Sequence, residues 1–176
     1  MDQQYQHYLA TEWGKPTHGD QALFELLSLE IFQAGLNWQL VLHKRAALRQ
    51  AFANFDIFTV AHFTPEQINQ LISNPALIRN RRKIQAIVHN AQVILHLQQS
   101  QSFDNYIWHF VNYQPQTHYY HYRNQIPTQT PLSRTMTQDL KAQGFQFVGP
   151  VIILFFSASG RLDKGPVIII ILNLSR

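Results

Sequence analysis

The chain contains no cysteine among its 176 residues. This absence excludes disulfide bonds and every metal site that is built on thiolates. It fits an intracellular protein, as does the stretch 1–14, which lacks the basic and apolar segments of a secretory signal. No apolar run reaches the roughly 18–20 residues needed to span a bilayer, so we expect no contact with a membrane.

Internal repeats and low-complexity linkers are also absent, and the length predicts a single domain over 1–176 with a divergent tail over 161–176. Two small helical lobes within it are the alternative. Hydrophobic residues make up 45% of the chain, which is ample for a packed core, and 12 Phe, 7 Tyr and 3 Trp supply many aromatic rings. The net charge of +4 permits a polyanionic partner but does not identify one.

Helical spacing of apolar residues recurs along the chain, whereas strand-like alternation is absent before the C-terminal tail. We therefore expect an all-α fold, with a polar loop over 112–132. The predicted helices cover 21–34, 38–52, 65–72, 78–97, 103–111 and 137–143. Their predicted N-caps include Asp20, Thr64 and Thr137, and Thr64 precedes Pro65 and Gln67 in the pattern of a capping box.

Glu30 lies on an apolar stripe of the first predicted helix, in helical register with Leu23, Leu26, Leu27 and Ala34. A carboxylate is costly to bury unless a cation or a hydrogen-bond donor pairs with it. The pattern therefore predicts a partner for Glu30, although an isolated glutamate on a helix is more often solvated.

Residues 139–152 read as a helical hairpin. A short helix runs to Gly144, a turn follows, and Gly149-Pro150 opens the next apolar segment. Free N–H groups at the start of that segment could bind a DNA phosphate. An ordinary corner between two helices is the alternative interpretation of this stretch.

Several stretches, in this order and spacing, resemble the 3-methyladenine DNA glycosylase I family of bacterial base-excision repair enzymes, in the helix–hairpin–helix superfamily. The resemblance spans about residues 5–160. It rests on Tyr8-x-x-x-Glu12-Trp13-Gly14-x-Pro16, LFELLSLEIFQAGLNW (23–38), Lys44-Arg45, AFANFD (51–56), LIRNRRKIQAIVHNA (77–91), SFDNYIWHFV (102–111) and LKAQGFQFVG (140–149).

The resemblance implies an all-α helix–hairpin–helix enzyme that flips 3-methyladenine out of double-stranded DNA and hydrolyses its N-glycosidic bond. The family's base-contacting glutamate corresponds to Glu30, which we expect to act as the catalytic residue through recognition and electrostatics. Its pocket aromatics correspond to Tyr5, Tyr8, Trp13 and Trp38. The apolar stretch 151–156 stands where other superfamily members supply an aspartate, and we assign no lysine nucleophile, so the predicted reaction is monofunctional.

The predicted DNA contacts lie in three places. The turn Ala34-Gly35-Leu36 corresponds to the family segment that presses against the gap left by the flipped base, and the hairpin contributes Gly144 and Gly149. The basic residues near the start of the 78–97 helix are candidate phosphate contacts, because a helix N-terminus does not favour cations. These are Arg79, Arg81 and Lys83, although a solvated charge run is the alternative.

The family usually carries a structural zinc ion held by two Cys and two His. Here the histidine expected after Tyr8 is Leu9, and Leu162-Asp163-Lys164-Gly165 replaces the family's later ligand segment. His7 and His18 lie nearby, but two imidazoles make a weak zinc site. We therefore predict no zinc and no other cofactor.

Three functions compete at this point. The first is an active glycosylase, expected to be a monomer in the bacterial cytoplasm. The second is a lesion- or DNA-binding protein of the same fold that has lost turnover. The third is a helical DNA-binding regulator, which Glu30, Trp38 and Tyr8 disfavour because a regulator needs no buried carboxylate.

Overall fold

Helices form most of the described chain, as predicted for an all-α fold. A computed structural model describes residues 2–13, 15–114, 116–120, 127–157 and 167–171. The α-helices are α1 (Gln3–Thr11), α2 (Asp20–Gln33), α3 (Trp38–Ala51), α4 (Ile57–Ala61), α5 (Pro65–Ser73), α6 (Arg81–Leu97), α7 (Phe103–Trp108), α8 (Pro131–Ala142) and α9 (Pro150–Ser157). Short 3₁₀ turns cover Ala53–Phe55 and His109–Val111. Among these helices, none has the length and apolar character to cross a membrane.

One antiparallel pair of strands departs from the predicted polar loop. Strand β1 (Gln116–Tyr120) pairs with β2 (Val167–Ile171), so that Gln116 lies opposite Ile171 and Tyr120 opposite Val167. The loop prediction was wrong for β1 because its residues show no alternation of their own. Its hydrogen-bond partner lies far along the chain, where a local pattern cannot reveal it.

Helix α2 lies at the centre of the bundle. It packs against α3, α6, α7 and α9, and most of its residues from Leu23 to Phe32 are buried. A helix that is surrounded by others buries nearly its whole circumference rather than one stripe. The position of Glu30 in this helix therefore places a carboxylate in the interior of the protein.

Asp20 does not cap α2, contrary to the prediction. Gly19 is the N-cap residue, with φ of 90°. The Asp20 carboxylate instead accepts hydrogen bonds from the main-chain N–H groups of Phe103 and Asp104, at 3.0 and 2.8 Å. These are unpaired donors at the start of α7, so Asp20 ties two helices together, a role that only the tertiary structure reveals.

The other two predicted caps have different outcomes. Thr64 forms the complete capping box with Gln67 and starts α5, as predicted. The Thr137 prediction was wrong, because α8 begins earlier, where Thr130 caps it in a reciprocal pair with Ser133. Thr137 lies inside α8 and is buried.

Helices α1 and α4 were not predicted from the sequence. Asp2 caps α1 by accepting from the N–H of Gln4. Before α4, the residues Ala53, Asn54 and Phe55 all have φ between 50° and 57°, a left-handed conformation that costs free energy for non-glycine residues. The burial of Phe55 and its stacking on Phe52, at 5.5 Å between ring centroids, offset this cost.

The helical hairpin is present and is fastened to α6 by hydrogen bonds of side chains on that helix. The chain leaves α8 at Gly144, whose φ is +98°, and α9 starts at Pro150. Between them, the main-chain N–H of Gln146 donates to Asn90 Oδ1 at 2.8 Å, and Asn90 Nδ2 donates to the Gln146 carbonyl at 3.0 Å. Asn90 is fully buried, so this pair fixes the loop of the hairpin.

We expect Asn90→Ala to lower the free energy of unfolding by about 2–3 kcal/mol, because it leaves both main-chain groups of Gln146 without their partner. Urea unfolding followed by circular dichroism measures the change. The control Gln85→Ala, at an exposed position of the same helix, should change it by less than about 0.5 kcal/mol. Equal effects of the two substitutions would contradict the role of Asn90.

Candidate active site

Glu30 is buried, and one of its carboxylate oxygens has no partner among the described residues. Its residue is 7% exposed, and its Oε2 atom is buried without a hydrogen-bond partner among the described residues. Burial raises the pKa of this carboxyl to about 8. The partner that the sequence pattern demanded is thus absent from the described protein, which leaves room for a ligand to supply it.

The four predicted pocket aromatics lie together beside α2. Tyr8 is the central ring, at 6.5 Å from Tyr5, 5.8 Å from Trp13 and 5.5 Å from Trp38, measured between ring centroids. Tyr5 and Tyr8 come from α1, Trp13 follows that helix, and Trp38 is the first residue of α3. Two helices thus bring these rings into one cluster.

The aromatic cluster also carries unpaired polar atoms. The indole Nε1 atoms of Trp13 and Trp38 are buried without a hydrogen-bond partner in the described part of the chain. Burial raises the pKa of the Tyr8 hydroxyl, and the charge of Glu30 raises it further, which reports that the two groups are close. Buried polar atoms that lack partners are uncommon in folded proteins and are typical of sites that bind something.

A cleft of about 350 Å³ opens on another side of Glu30. It is lined by Glu30 itself and by Gln33, Ala34, Gly35, Leu36, Val151 and Ile152. The predicted turn Ala34-Gly35-Leu36 therefore adjoins Glu30, whereas the four aromatic residues do not line this cleft. The start of α9 forms the opposite side, next to the hairpin.

Arg45 joins the elements that carry the site. Its Nη1 atom lies 2.7 Å from both carboxylate oxygens of Glu12, and its Nε donates to Glu25 Oε1 at 2.6 Å. Arg49 Nε donates to the same Glu25 oxygen at 2.7 Å. Glu12 is the C-cap residue of α1, Glu25 lies on α2, and both arginines lie on α3. Tyr8 is the only buried residue of α1, so this network of ion pairs helps to hold α1 against the bundle.

Lys83 does not occupy the predicted position of a phosphate contact. The residue is 4% exposed, and its Nζ donates to the carbonyl oxygens of Phe32 and Ala34 at 2.8 and 2.6 Å. Burial also lowers the pKa of its ammonium group. The prediction for Lys83 is therefore corrected: a buried ammonium that is engaged by two carbonyls is not free to reach DNA.

The other basic residues before and at the start of α6 are on the surface. Arg79, Arg81 and Arg82 are exposed, and the Arg82 guanidinium lies 6.0 Å from the ring centroid of Phe147 in the hairpin. The positions of Gly144 and Gly149 at either end of the hairpin loop agree with the sequence. The contact of Arg82 with the hairpin was not predicted, because a charge run does not reveal which of its members faces a neighbour.

A family model for methyladenine glycosylases matches residues 1–164 of this chain. The chain belongs to the methyladenine glycosylase family. This confirms the resemblance drawn from the sequence motifs, and it extends the matched range at both ends. The family now provides the context for the buried acid and the aromatic cluster.

Individual members of the methyladenine glycosylase family agree with this assignment. The DNA-3-methyladenine glycosylase 1 of Escherichia coli (strain K12) is 40% identical over 157 residues, which cover 89% of this chain and 84% of that protein. A crystal structure of 3-methyladenine DNA glycosylase I is similar with a TM-score of 0.85 and 40% identity, covering 89% of this chain and 86% of that one. A tyrosine-to-phenylalanine variant of such an enzyme, in complex with 3-methyladenine, has a TM-score of 0.84 and 35% identity, covering 88% and 84% of the two chains.

The zinc ion that the glycosylase family resemblance implies does not fit the residues present. The described residues hold no group of three or more His, Cys, Asp or Glu side chains that could bind a metal. His18 instead pairs with Asp104, at 3.2 Å, and stacks on Trp108 with 4.3 Å between ring centroids. Residues 162–165, where the family pattern changes, lie outside the described residues.

The sequence did not indicate the residues of this glycosylase-family site that come from distant elements. Val151 and Ile152 line the cleft, but only their proximity to Glu30 in the folded chain reveals this. The sequence motif that contains Arg45 does not predict a role for it. Its position among acidic residues of two other helices could not be inferred from neighbours in sequence.

We expect the stability of the wild-type protein to fall as pH rises from about 4.5 to about 8. The pKa of Glu30 is about 8 in the folded protein and has its ordinary value near 4.5 in the unfolded chain, so the folded state retains a proton that the unfolded state releases. This shift in pKa lowers the free energy of unfolding by at most about 5 kcal/mol over that range of pH. Urea unfolding at a series of pH values measures it.

Glu30→Gln should remove this fall in stability. The free energy of unfolding of the variant should therefore increase relative to that of the wild type as pH rises toward 8. Glu66→Gln makes the same change at a fully exposed position and should leave the fall between pH 5 and 8 unchanged. Parallel curves for the wild type and Glu30→Gln would show that Glu30 retains an ordinary pKa.

The absence of zinc stays a prediction. Purified protein, without chelator treatment, should contain far less than one zinc per chain by elemental analysis, because the required donors are missing. A stoichiometric amount of zinc would overturn this prediction.

Proposed function

We propose that this chain is a DNA-3-methyladenine glycosylase, which takes the damaged base out of double-stranded DNA and hydrolyses its N-glycosidic bond. The observation that carries the proposal is the buried Glu30 carboxyl, with one unpaired oxygen beside a cluster of aromatic rings. Membership of the methyladenine glycosylase family supports it, since the relatives of high coverage bear that name.

The charge of the lesion explains why a buried acid is useful. Methylation at N3 makes the adenine ring cationic, whereas normal adenine is neutral. A unit charge about 4 Å from the carboxylate contributes on the order of 4 kcal/mol at an effective dielectric constant near 20. This is similar to the cost of ionising Glu30 in its buried position, so a cationic base can draw the proton off Glu30 and a neutral base cannot.

The aromatic residues supply the second part of recognition. An electron-poor cationic ring is attracted to the faces of Tyr and Trp side chains. We propose that Tyr5, Tyr8, Trp13 and Trp38 surround the extruded base, while Glu30 accepts hydrogen bonds from its exocyclic amine or a ring N–H. Extraction of a weakened base costs less than that of a normal one, which adds to the selectivity.

The bond cleavage itself needs little assistance. The C1′–N9 bond breaks with its electron pair moving to N9, so the cationic base leaves as neutral 3-methyladenine. The sugar becomes an oxocarbenium-like cation, which a water molecule attacks at C1′ before losing a proton. Glu30 contributes electrostatic stabilisation in this scheme.

The same scheme leaves no role for a lysine nucleophile. Lys83 lies near the site, but its ammonium is engaged by two carbonyls. This supports a monofunctional enzyme that releases the base without cutting the strand.

We further propose that duplex DNA lies across the turn and the hairpin. Leu36 is 40% exposed at the mouth of the cleft, where it and its neighbours Ala34 and Gly35 could fill the space of the extruded base. Gly144 and Gly149 would allow the hairpin main chain to approach a phosphate, and Arg79 and Arg81 would contact others. The enzyme would act as a monomer, in the bacterial cytoplasm where the chromosome lies.

The test is the release of free base from methylated duplex DNA, separated by chromatography under single-turnover conditions. The wild type should release 3-methyladenine. Glu30→Gln should reduce the release at least about tenfold, because it removes the negative charge that attracts the cationic base while the base is still attached to the DNA. Its binding to undamaged DNA should be unchanged, as should every property of the exposed control Glu66→Gln.

Two other outcomes would contradict parts of this proposal. Absence of release by the wild type at high enzyme concentration, with tight binding to methylated DNA, would identify a lesion-binding protein that lacks turnover. Equal losses of base release and undamaged-DNA binding in Glu30→Gln would contradict the assigned role of Glu30.

A further inference from the structure

The start of α6 contains one buried cation, to which the proposed function gives no role. Arg81, Arg82 and Lys83 are the first three residues of this helix. A positive charge is unfavourable at a helix N-terminus. The two arginines are exposed, but Lys83 is buried, so its placement calls for a compensating interaction.

That interaction lies at the opposite end of another helix. The Lys83 ammonium donates to the carbonyls of Phe32 and Ala34, the last turn and the C-cap residue of α2. The final carbonyls of a helix lack N–H partners within it, and a cation is favourable there. Asn80 caps α6 and accepts the main-chain N–H of Lys83 at 3.2 Å, which fixes the lysine in place.

The carbonyls that Lys83 holds control the direction of the chain beyond α2. Ala34 leaves the helical conformation, with ψ of 112°, and Gly35 follows with φ of +77°. The N–H of Leu36 then donates to the Gln33 carbonyl at 2.6 Å. These contacts set where the exposed Leu36 side chain points relative to Glu30, which lies one helical turn before Ala34.

We propose that Lys83 is a positioning residue for the Ala34-Gly35-Leu36 turn, which it holds in the orientation that lets Leu36 occupy the space left by the extruded base. This inference rests on the proposed function. It assigns Lys83 to base extraction from the duplex, and it separates that step from recognition of the base by Glu30 and the aromatic rings.

Because base extraction and base recognition are separate steps in this proposal, Lys83→Met should impair the first and leave the second nearly unchanged. Release of 3-methyladenine from duplex DNA should fall by about 10- to 100-fold, the effect of losing a charge-assisted hydrogen bond. Binding of free 3-methyladenine, followed by tryptophan fluorescence, should stay within about twofold, because this ligand needs no extraction. Release from methylated single-stranded DNA should fall less than release from the duplex.

The matched control is Lys44→Met. Lys44 lies on α3 and also donates its Nζ to a main-chain carbonyl, that of Ala76 at 2.8 Å. It does not line the cleft beside Glu30. It should leave release from both substrates unchanged. A variant that only loses stability would instead lower free-base binding and duplex release together.

Two further variants test whether Lys83 acts through the turn. In a double-mutant cycle, Leu36→Ala should reduce the effect of Lys83→Met, because both changes act on one step. Gly35→Ala places a side chain on a residue with φ of +77°, where its Cβ would have nothing within 4 Å. It strains the turn alone, so it should reproduce the loss of duplex release with free-base binding retained, even if Lys83→Met does not fold.

The outcomes distinguish this inference from the proposed function. If the wild type releases no base, the proposed function fails. If the wild type is active, the positioning role is overturned by unchanged duplex release in Lys83→Met, by additive effects with Leu36→Ala, or by parallel loss of free-base binding in folded Lys83→Met or Gly35→Ala.

Discussion

A carboxyl group that is buried without full compensation is the feature on which the rest of this structure depends. Glu30 lies inside the central helix of the bundle, where its ionised form is strongly disfavoured. The protein tolerates this because the surrounding helices bury enough apolar surface to stabilise the fold despite the penalty. Under the proposed function, the unpaired oxygen becomes a selective element, since a ligand that carries positive charge relieves the cost of ionisation. Membership of the methyladenine glycosylase family and the cationic character of an N3-methylated adenine agree with this reasoning.

The elements around Glu30 divide into three groups with separate physical tasks. The aromatic cluster is held by α1 and α3, which the charged network centred on Arg45 fastens to α2. The turn after α2 is held by the ammonium of Lys83. The hairpin is fastened to α6 by Asn90. Each fastening is polar and spans elements that are distant in sequence, so the site depends on directional contacts as well as on the apolar core.

Local signals predicted the fold where a few adjacent residues are enough to determine it. The Thr64–Gln67 capping box and the start of α9 at Pro150 follow from chemistry within one helical turn. The errors at Asp20 and Thr137 have one cause. Side chains that suit a cap are also used elsewhere, and Asp20 caps a different helix from its own. Strand β1 was missed for a related reason, because its hydrogen bonds go to residues far along the chain.

The sequence by itself determined the helical class, the hairpin, the family and the set of residues that includes Glu30 and its aromatic neighbours. Those features are encoded in spacing and in uncommon motifs, both of which can be read along one dimension. Only the tertiary structure decided the burial that raises the pKa of Glu30 and the partners of Arg45, and it placed Lys83 on the carbonyls of α2 rather than on the surface. Burial and electrostatic pairing depend on distances across the folded chain, and these distances exist only once the helices have packed.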